Sequence, residues 1–265
     1  MMRTTWMAAA ILALGLTPAA PARADDGAKA ICADRPTKGT SPCTVDPGHW
    51  QVEIDAADLT HDRSGGVTTD TGVFAGANLK YGISDRLDLE LNLPALQTQG
   101  VSGAGHASGL GDTVARAKLA VMQGAASISL LPFLKLPTAA HDLGNGALEG
   151  GLVVPIALSL PGQTSLTLDP ELDALKDASD QGRHIAYALA AGLSRPLSAT
   201  LTGSVEVWGA QDQEPRGHVS EASFDLGLAW IPLKDQNLQL DGGINLGLNA
   251  ATPGVQGYVG VSRRF

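Results

Sequence analysis

Long apolar runs are missing from this sequence. Past the first two dozen residues nothing approaches the roughly 20 consecutive apolar residues of a membrane-crossing helix, which excludes a helical membrane protein. Aromatic residues are scarce, at 4%, and charge is sparse, at 17%. The charge is also one-sided, 18 Lys and Arg against 27 Asp and Glu, which argues against nucleic acid as a partner. Cysteine is limited to Cys32 and Cys43, and the CADRPTKGTSPC segment they bound offers no histidine to complete a metal site. No cofactor motif stands in the chain. The string GLGD at 109–112 enters a strand instead of opening a helix, so it is not a phosphate-binding turn.

What is present begins with MMRTTWMAAAILALGLTPAAPARA, a short basic lead at Arg3, an apolar run from Trp6 to Leu16 and a small-residue ending at Ala22-Arg23-Ala24. That is the pattern of a secretory signal peptide over residues 1–24, with Sec-type export and cleavage near Ala24. Removing Arg3 and Arg23 leaves 16 basic against 27 acidic side chains, which suits a lumen that attracts cations. Outside the cytoplasm, an even cysteine pair around a Pro- and Gly-containing loop reads as a Cys32–Cys43 disulfide within an N-terminal periplasmic segment, 25–48.

From residue 49 to 265 the chain falls into a rhythm of strands of bilayer-crossing length. Twelve are expected: 49–59, 72–82, 86–96, 112–122, 126–136, 148–160, 165–175, 184–194, 200–209, 221–231, 238–249 and 255–265. Connectors alternate in length. Tight turns such as Ser84-Asp85 and Pro161-Gly162-Gln163 follow even strands, and longer polar stretches such as THDRSGGVTTD and QTQGVSGAGHASG follow odd ones. Short periplasmic turns and longer extracellular loops mark an antiparallel transmembrane β-barrel, whereas a sandwich has no reason to sort its loops.

Residue parity agrees. In 87–93 every odd position is leucine, while Asp88, Glu90 and Asn92 occupy the even ones; in 238–249, Leu238, Leu240, Ile244, Leu246 and Leu248 alternate with Gln239, Asp241, Asn245 and Asn249. Strict period-2 alternation gives two unlike faces, one for lipid and one for the lumen. Two strands are less clean: Leu131 and Phe133 share the inward phase with Lys135, and Trp208 is inward in its strand. Trp50, Tyr81, Trp230 and Phe265 fall near the short-turn rim, where interfacial aromatics belong.

The inward phase collects Glu53, Asp55, Lys80, Asp88, Glu90, Arg116, Lys118, Lys135, Glu149, Asp169, Glu171, Asp173, Glu206, Asp225 and Asp241 as lumen-facing candidates. Facing lipid, the basic ones would each cost on the order of 2–4 kcal/mol, so they must meet water or one another. Two readings stand open: a paired network that fills the barrel, or the lining of a channel. Twelve strands at a tilt near 40° give a backbone diameter of roughly 24 Å and a lumen of ~10 Å, and small inward residues such as Gly76, Ala186, Ala188, Gly192, Gly243 and Gly247 favour open space. The N-terminal segment is long enough to plug what remains.

Other chemistries are weaker. LDPELDALKDASDQGR sets Asp169, Glu171 and Asp173 on one face with Asp177 and Asp180 beyond, but the spacing matches no calcium loop. A membrane-embedded hydrolase would need a serine and an acid placed about His184, and spacing places none.

Read in order, ADRPTKGTSPCTVDPGHWQVE, NLKYGISDRLDLELNLP, SGLGDTVARAKLAV, LPFLKLPTAAHDLGNG and FDLGLAWIPLKDQNLQLDGGINLGLN resemble the successive motifs of the outer-membrane barrel transporter family labelled as a MetA pathway of phenol degradation, from Ala33 to Phe265. The terminal Phe265 is similar to the sorting signal of outer-membrane barrels. Leu136-Pro137-Thr138-Ala139 departs from the family, which usually has glycine after the threonine, and the cysteine pair is not a general family feature. The resemblance implies a bacterial outer-membrane barrel, in contact with lipid, associated with uptake of a small solute, aromatic or other hydrophobic compounds among them; the expected state is a monomer. It does not imply an enzyme of phenol breakdown.

Overall fold

The computed structural model describes residues 30–265 apart from 94, 95, 142 and 180. The expected signal peptide, its cleavage site and Asp180 lie outside the described residues. Sixteen strands among the described residues form twelve staves. β1 (Trp50–Ser64) is the first stave. β2 (Val67–Phe74) and β3 (Gly76–Ser84) make the second, β4 (Leu87–Leu93) and β5 (Leu96–Val101) the third, and β6 (Gly105–Gly109) and β7 (Thr113–Met122) the fourth. β8 (Ala126–Leu136) is the fifth, and β9 (Glu149–Val153) with β10 (Ile156–Leu160) the sixth. The remaining six are unbroken: β11 (Thr164–Lys176), β12 (Arg183–Pro196), β13 (Leu201–Asp212), β14 (Val219–Trp230), β15 (Leu238–Gly247) and β16 (Val255–Arg264).

Neighbouring staves pair antiparallel, and β1 closes the sheet by pairing with β16 from Gln51↔Arg264 to His61↔Val255. Closure leaves no strand edge along the seam, as a structure surrounded by hydrocarbon requires. The C-terminus is bound into this seam, where the Phe265 N–H donates to Trp50 O at 2.8 Å.

The barrel is polar inside and apolar outside. Gln51, Lys80, Asp88, Lys118, Ser129, Glu206, Asp225 and Ser262 are fully buried, while Leu89, Leu119, Leu134, Leu172, Ile185, Leu189, Val207, Leu228 and Val259 are exposed. A water-soluble domain buries the opposite set. An apolar band of this extent on the outside of a closed barrel is a lipid-facing surface. Trp50 and Tyr81 stack with ring centroids 4.5 Å apart at the short-turn rim.

The far rim differs from expectation. THDRSGGVTTD is not a loop: β1 and β2 continue as a hairpin closed by Gly65-Gly66, with Ser64 opposite Val67. Both glycines have positive φ, 58° and 84°, which a two-residue turn of this hand demands and which other residues rarely tolerate. QTQGVSGAGHASG likewise pairs with itself as β5 and β6. Thr, Val and Gln in these stretches have the strand propensity to extend the ladder beyond the bilayer.

Candidate functional site

Residues 30–48 run through the lumen instead of hanging below it. Cys32 and Cys43 are joined in a disulfide, with Cα atoms 5.8 Å apart, so the segment is a closed loop. This loop, here called the plug, has almost no backbone ladder of its own, and its peptide groups must find partners on the wall. The wall's ionised side chains supply them.

The Asp34 N–H donates to Glu53 at 3.0 Å, the Lys38 N–H to Glu206 at 3.0 Å, and the Val45 N–H to Asp88 at 2.9 Å. In the other direction, Gln51 Nε2 and Lys80 Nζ donate to the Cys32 carbonyl at 2.6 and 3.1 Å, and the Ser129 hydroxyl donates to the Pro42 carbonyl. Gly39 passes so close to the wall that a Cβ there would lie 2.7 Å from Glu206 Oε2, so this position has no room for a side chain.

Ion pairs fix the plug further. The Asp34 carboxylate is held by Lys80 at 2.9 Å and Lys118 at 2.6 Å, and both ammonium groups are fully buried. Glu90 braces the same pair, 3.1 Å from Lys118 and 3.8 Å from Lys80. Across the seam strand β16, Arg35 bridges Asp241 of β15, at 2.9 Å, and Asp55 of β1. Lys38 reaches Ser223 at 2.5 Å and Asp225 at 3.4 Å, and its ammonium sits 4.5 Å from the Trp208 ring centre. At the bottom, Asp46 meets Arg264 at 2.7 Å.

The inward residues therefore divide into groups. Glu53, Asp55, Lys80, Asp88, Glu90, Lys118, Glu206, Asp225 and Asp241 all touch the plug or brace a residue that does. Lys135 and Glu149 form a separate cluster above it, Lys135 lying 3.1 Å from Glu149 and 2.9 Å from Asp112. Asp112 also accepts from the Ala139 N–H at 2.9 Å. Arg116, Asp169, Glu171 and Asp173 join no ion pair among the described residues; Arg116, Asp169 and Glu171 line a cavity of about 330 Å³.

Sequence reading missed two sets of lumen residues. The first is the plug's own Asp34, Arg35 and Lys38, whose partners lie as far as 206 positions away. The second follows from a bulge in β1 between Asp55 and Ala57, where the register slips by one residue against β16. A bulge inverts the phase of everything after it. Asp58 thereby turns inward, where Gln256 Nε2 donates to it at 2.9 Å, and Leu59 turns out. The break in alternation through Asp55-Ala56-Ala57-Asp58 is the local signal that marks it.

At the extracellular end, His184 sits among carboxylates: Nδ1 is 2.9 Å from Asp177 and 3.6 Å from Glu214, and Nε2 is 2.8 Å from Asp212. The Ala178 and Arg216 N–H groups and the nearby imidazole hold the Glu214 carboxyl below its usual range. This arrangement ties two loops together, and among the described residues its hydrogen-bonded and ion-pair partners are carboxylates.

Two cavities flank the plug. The one of about 330 Å³ is lined by Asn78, Arg116, Phe133, Asp169, Glu171 and Trp208 with plug residues; the other, about 260 Å³, is lined by Thr167, Ser194, Thr202, Ser204 and Gln239 with plug residues. Asp34, Arg35 and Thr40 border both. A single stretch of chain therefore separates two spaces within one barrel, the smaller of which also meets Leu193, Val205 and Ile231.

These features define a class: a closed twelve-stave antiparallel barrel with a lipid-facing exterior and a polar, internally plugged lumen. Within it, the chain belongs to the family described as "Putative MetA-pathway of phenol degradation", whose profile matches residues 33–265. No curated protein matches the sequence. Among solved structures it is similar to an outer membrane channel from Pseudomonas putida F1, with 15% identity, a TM-score of 0.69, and coverage of 87% of this chain and 100% of that one. The NanC porin is more distant, at 7% identity and a TM-score of 0.52, covering 81% of this chain and 98% of the porin. At such identities the likeness is one of fold.

Proposed function

We propose that the protein is a bacterial outer-membrane channel, exported by a signal peptide cleaved near Ala24, which gives a small solute a passive route through its lumen. The carrying observation is the pair of cavities on either side of the plug, divided by one stretch of chain, the larger of them lined by charge. A barrel that served only as a scaffold would have no need of unpaired charge beside an open space, because buried polar groups without partners are destabilising. The inward residues then have two roles: Glu53, Lys80, Asp88, Glu90, Lys118 and Glu206 hold the plug, while Arg116, Asp169 and Glu171 line the path. The family label suggests aromatic or other hydrophobic solutes, and Phe133 and Trp208 offer them flat apolar surfaces inside the larger cavity.

Proteoliposome swelling tests this. Vesicles holding the protein should swell in isotonic solutions of small solutes and stop swelling as solute size rises. Swelling no faster than that of empty vesicles, for every solute, would reject a channel and favour a blocked barrel.

A further inference from the structure

One stretch of the lumen wall carries acid without matching base. Eight of the inward carboxylates, Glu53, Asp55, Asp88, Glu90, Glu149, Glu206, Asp225 and Asp241, are engaged by a cation or by a plug N–H. Asp169, Glu171 and Asp173, alternate residues of β11, have no ion pair among the described residues. Asp169 is only 5% exposed; the Thr40 N–H of the plug approaches it, but neither carboxylate oxygen accepts a hydrogen bond of normal geometry, while Glu171 and Asp173 hydrogen-bond to one another. A buried carboxylate in this position is costly unless a cation reaches it.

The space beside it is kept open. Asp169, Glu171 and Asp173 stand opposite Ala190, Ala188 and Ala186 of β12, so no long side chain crosses the gap. Asp169 and Glu171 line the larger cavity together with Trp208 and Phe133. The cations bordering the same cavity are occupied elsewhere: Arg35 by Asp241 and Asp55, Lys38 by Asp225, and Lys135 by Asp112 and Glu149. Among the described residues bordering it, Arg116 is the cation without an ion pair, one guanidinium against the two unpaired carboxylates of the lining, Asp169 and Glu171. The balance favours a positive guest.

We propose that this cavity binds the ammonium group of a small organic cation, with Asp169 and Glu171 as its acceptors and the hydrocarbon part lying against Trp208 and Phe133. Ammonium meets carboxylate in a partly dehydrated space, where charge-assisted hydrogen bonds are strongest. An aromatic face beside the ammonium adds attraction. This deepens the channel reading by naming the chemical class of the solute, and it rests on that reading only for the idea that the bound cation is in transit.

Benzylammonium and benzyl alcohol, titrated into the full detergent-solubilised chain by calorimetry at low salt, separate charge from ring. The amine should bind and the alcohol should bind far more weakly. Asp169→Asn should weaken the amine about tenfold, and Asp169→Asn with Glu171→Gln by about a hundredfold, leaving the alcohol unchanged. Heat-dependent gel migration checks that each variant is still a barrel. Should the polar variants fail to fold, Ala190→Leu fills the cavity from the facing strand without removing a charge, and it should abolish amine binding. Equal binding of amine and alcohol, or amine affinity unaffected by these changes, overturns the proposal. Amine binding without any current in planar bilayers would support the site and reject the channel.

Discussion

Replacing Asp34 by alanine removes the carboxylate that joins plug to wall. In the native arrangement it accepts from Lys80 at 2.9 Å and Lys118 at 2.6 Å, both fully buried. Without it neither ammonium is abandoned, because Lys80 keeps Glu53 at 3.1 Å and Lys118 keeps Glu90 at 3.1 Å. Removing one partner of a buried ion pair costs about 3–5 kcal/mol. The surviving partners place this case at the lower end, and ~3 kcal/mol shifts the ratio of undocked to docked plug by roughly 150-fold. Trypsin reads that ratio through the Lys38-Gly39 bond, which is shielded while the Lys38 N–H and side chain hold Glu206 and Asp225. Where opening is fast relative to cleavage, the rate follows the open population. Cleavage after Lys38, followed on reducing gels, should therefore be about a hundredfold faster in Asp34→Ala, with the barrel's heat-dependent migration unchanged. An unchanged rate would refute the idea that these ion pairs hold the plug.

Three further outcomes follow from the same geometry. Gly39→Ala puts a methyl group 2.7 Å from Glu206 Oε2 and should also accelerate cleavage after Lys38, whereas Gly217→Ala, with nothing near its Cβ, should not. Leu89→Arg sets a guanidinium on a surface that is 48% exposed to lipid and should lower folding stability in bilayers by about 2–4 kcal/mol, measured by denaturant titration; a neutral result would contradict a membrane-facing β4. The Glu214 carboxyl is held below its ordinary value of 4.5, so its contact with Ala178 is stabilised above that pH and lost as pH falls through the lowered value. Exchange protection of the Ala178 amide, corrected for intrinsic rate, should hold as pH falls from 7 past the ordinary carboxyl value of 4.5 and be lost only at lower pH; loss of protection already above that value would exclude this carboxylate as the acceptor that matters.

The barrel was legible in the sequence wherever one face meets lipid and the other meets charge, because period-2 alternation is a local property. Leu87 to Leu93 against Asp88 and Glu90 is the clearest case, and Leu131 and Phe133 prove to be inward as their phase with Lys135 implies. The phase failed with most consequence at Ala56, where one extra residue sends Asp58 inward; further slips fall between Gly82 and Ser84 and between Ala120 and Met122, near the short-turn rim. Length sorting of the loops was read too literally at the far rim, since Gly65-Gly66 and the β5–β6 hairpin let strands run on past the bilayer. The plug was the least legible part. Its charged residues form no pattern among themselves, and the contacts that hold Arg35 to Asp241 or Lys38 to Glu206 join positions far apart in the chain. Which carboxylates serve the plug and which remain free is therefore a property of the folded lumen alone.

The central claim is that the β12 face bearing Ala188 borders a conducting lumen while the face bearing Leu189 meets lipid. Single-channel recording of Ala188→Cys and Leu189→Cys, each treated with a bulky, charged, water-soluble thiol reagent, tests it directly, since the described cysteines are both held in the disulfide. Current through Ala188→Cys should fall on modification, and current through Leu189→Cys should be unaffected. Equal insensitivity of both, or no current from either before modification, would contradict a solute path through this barrel.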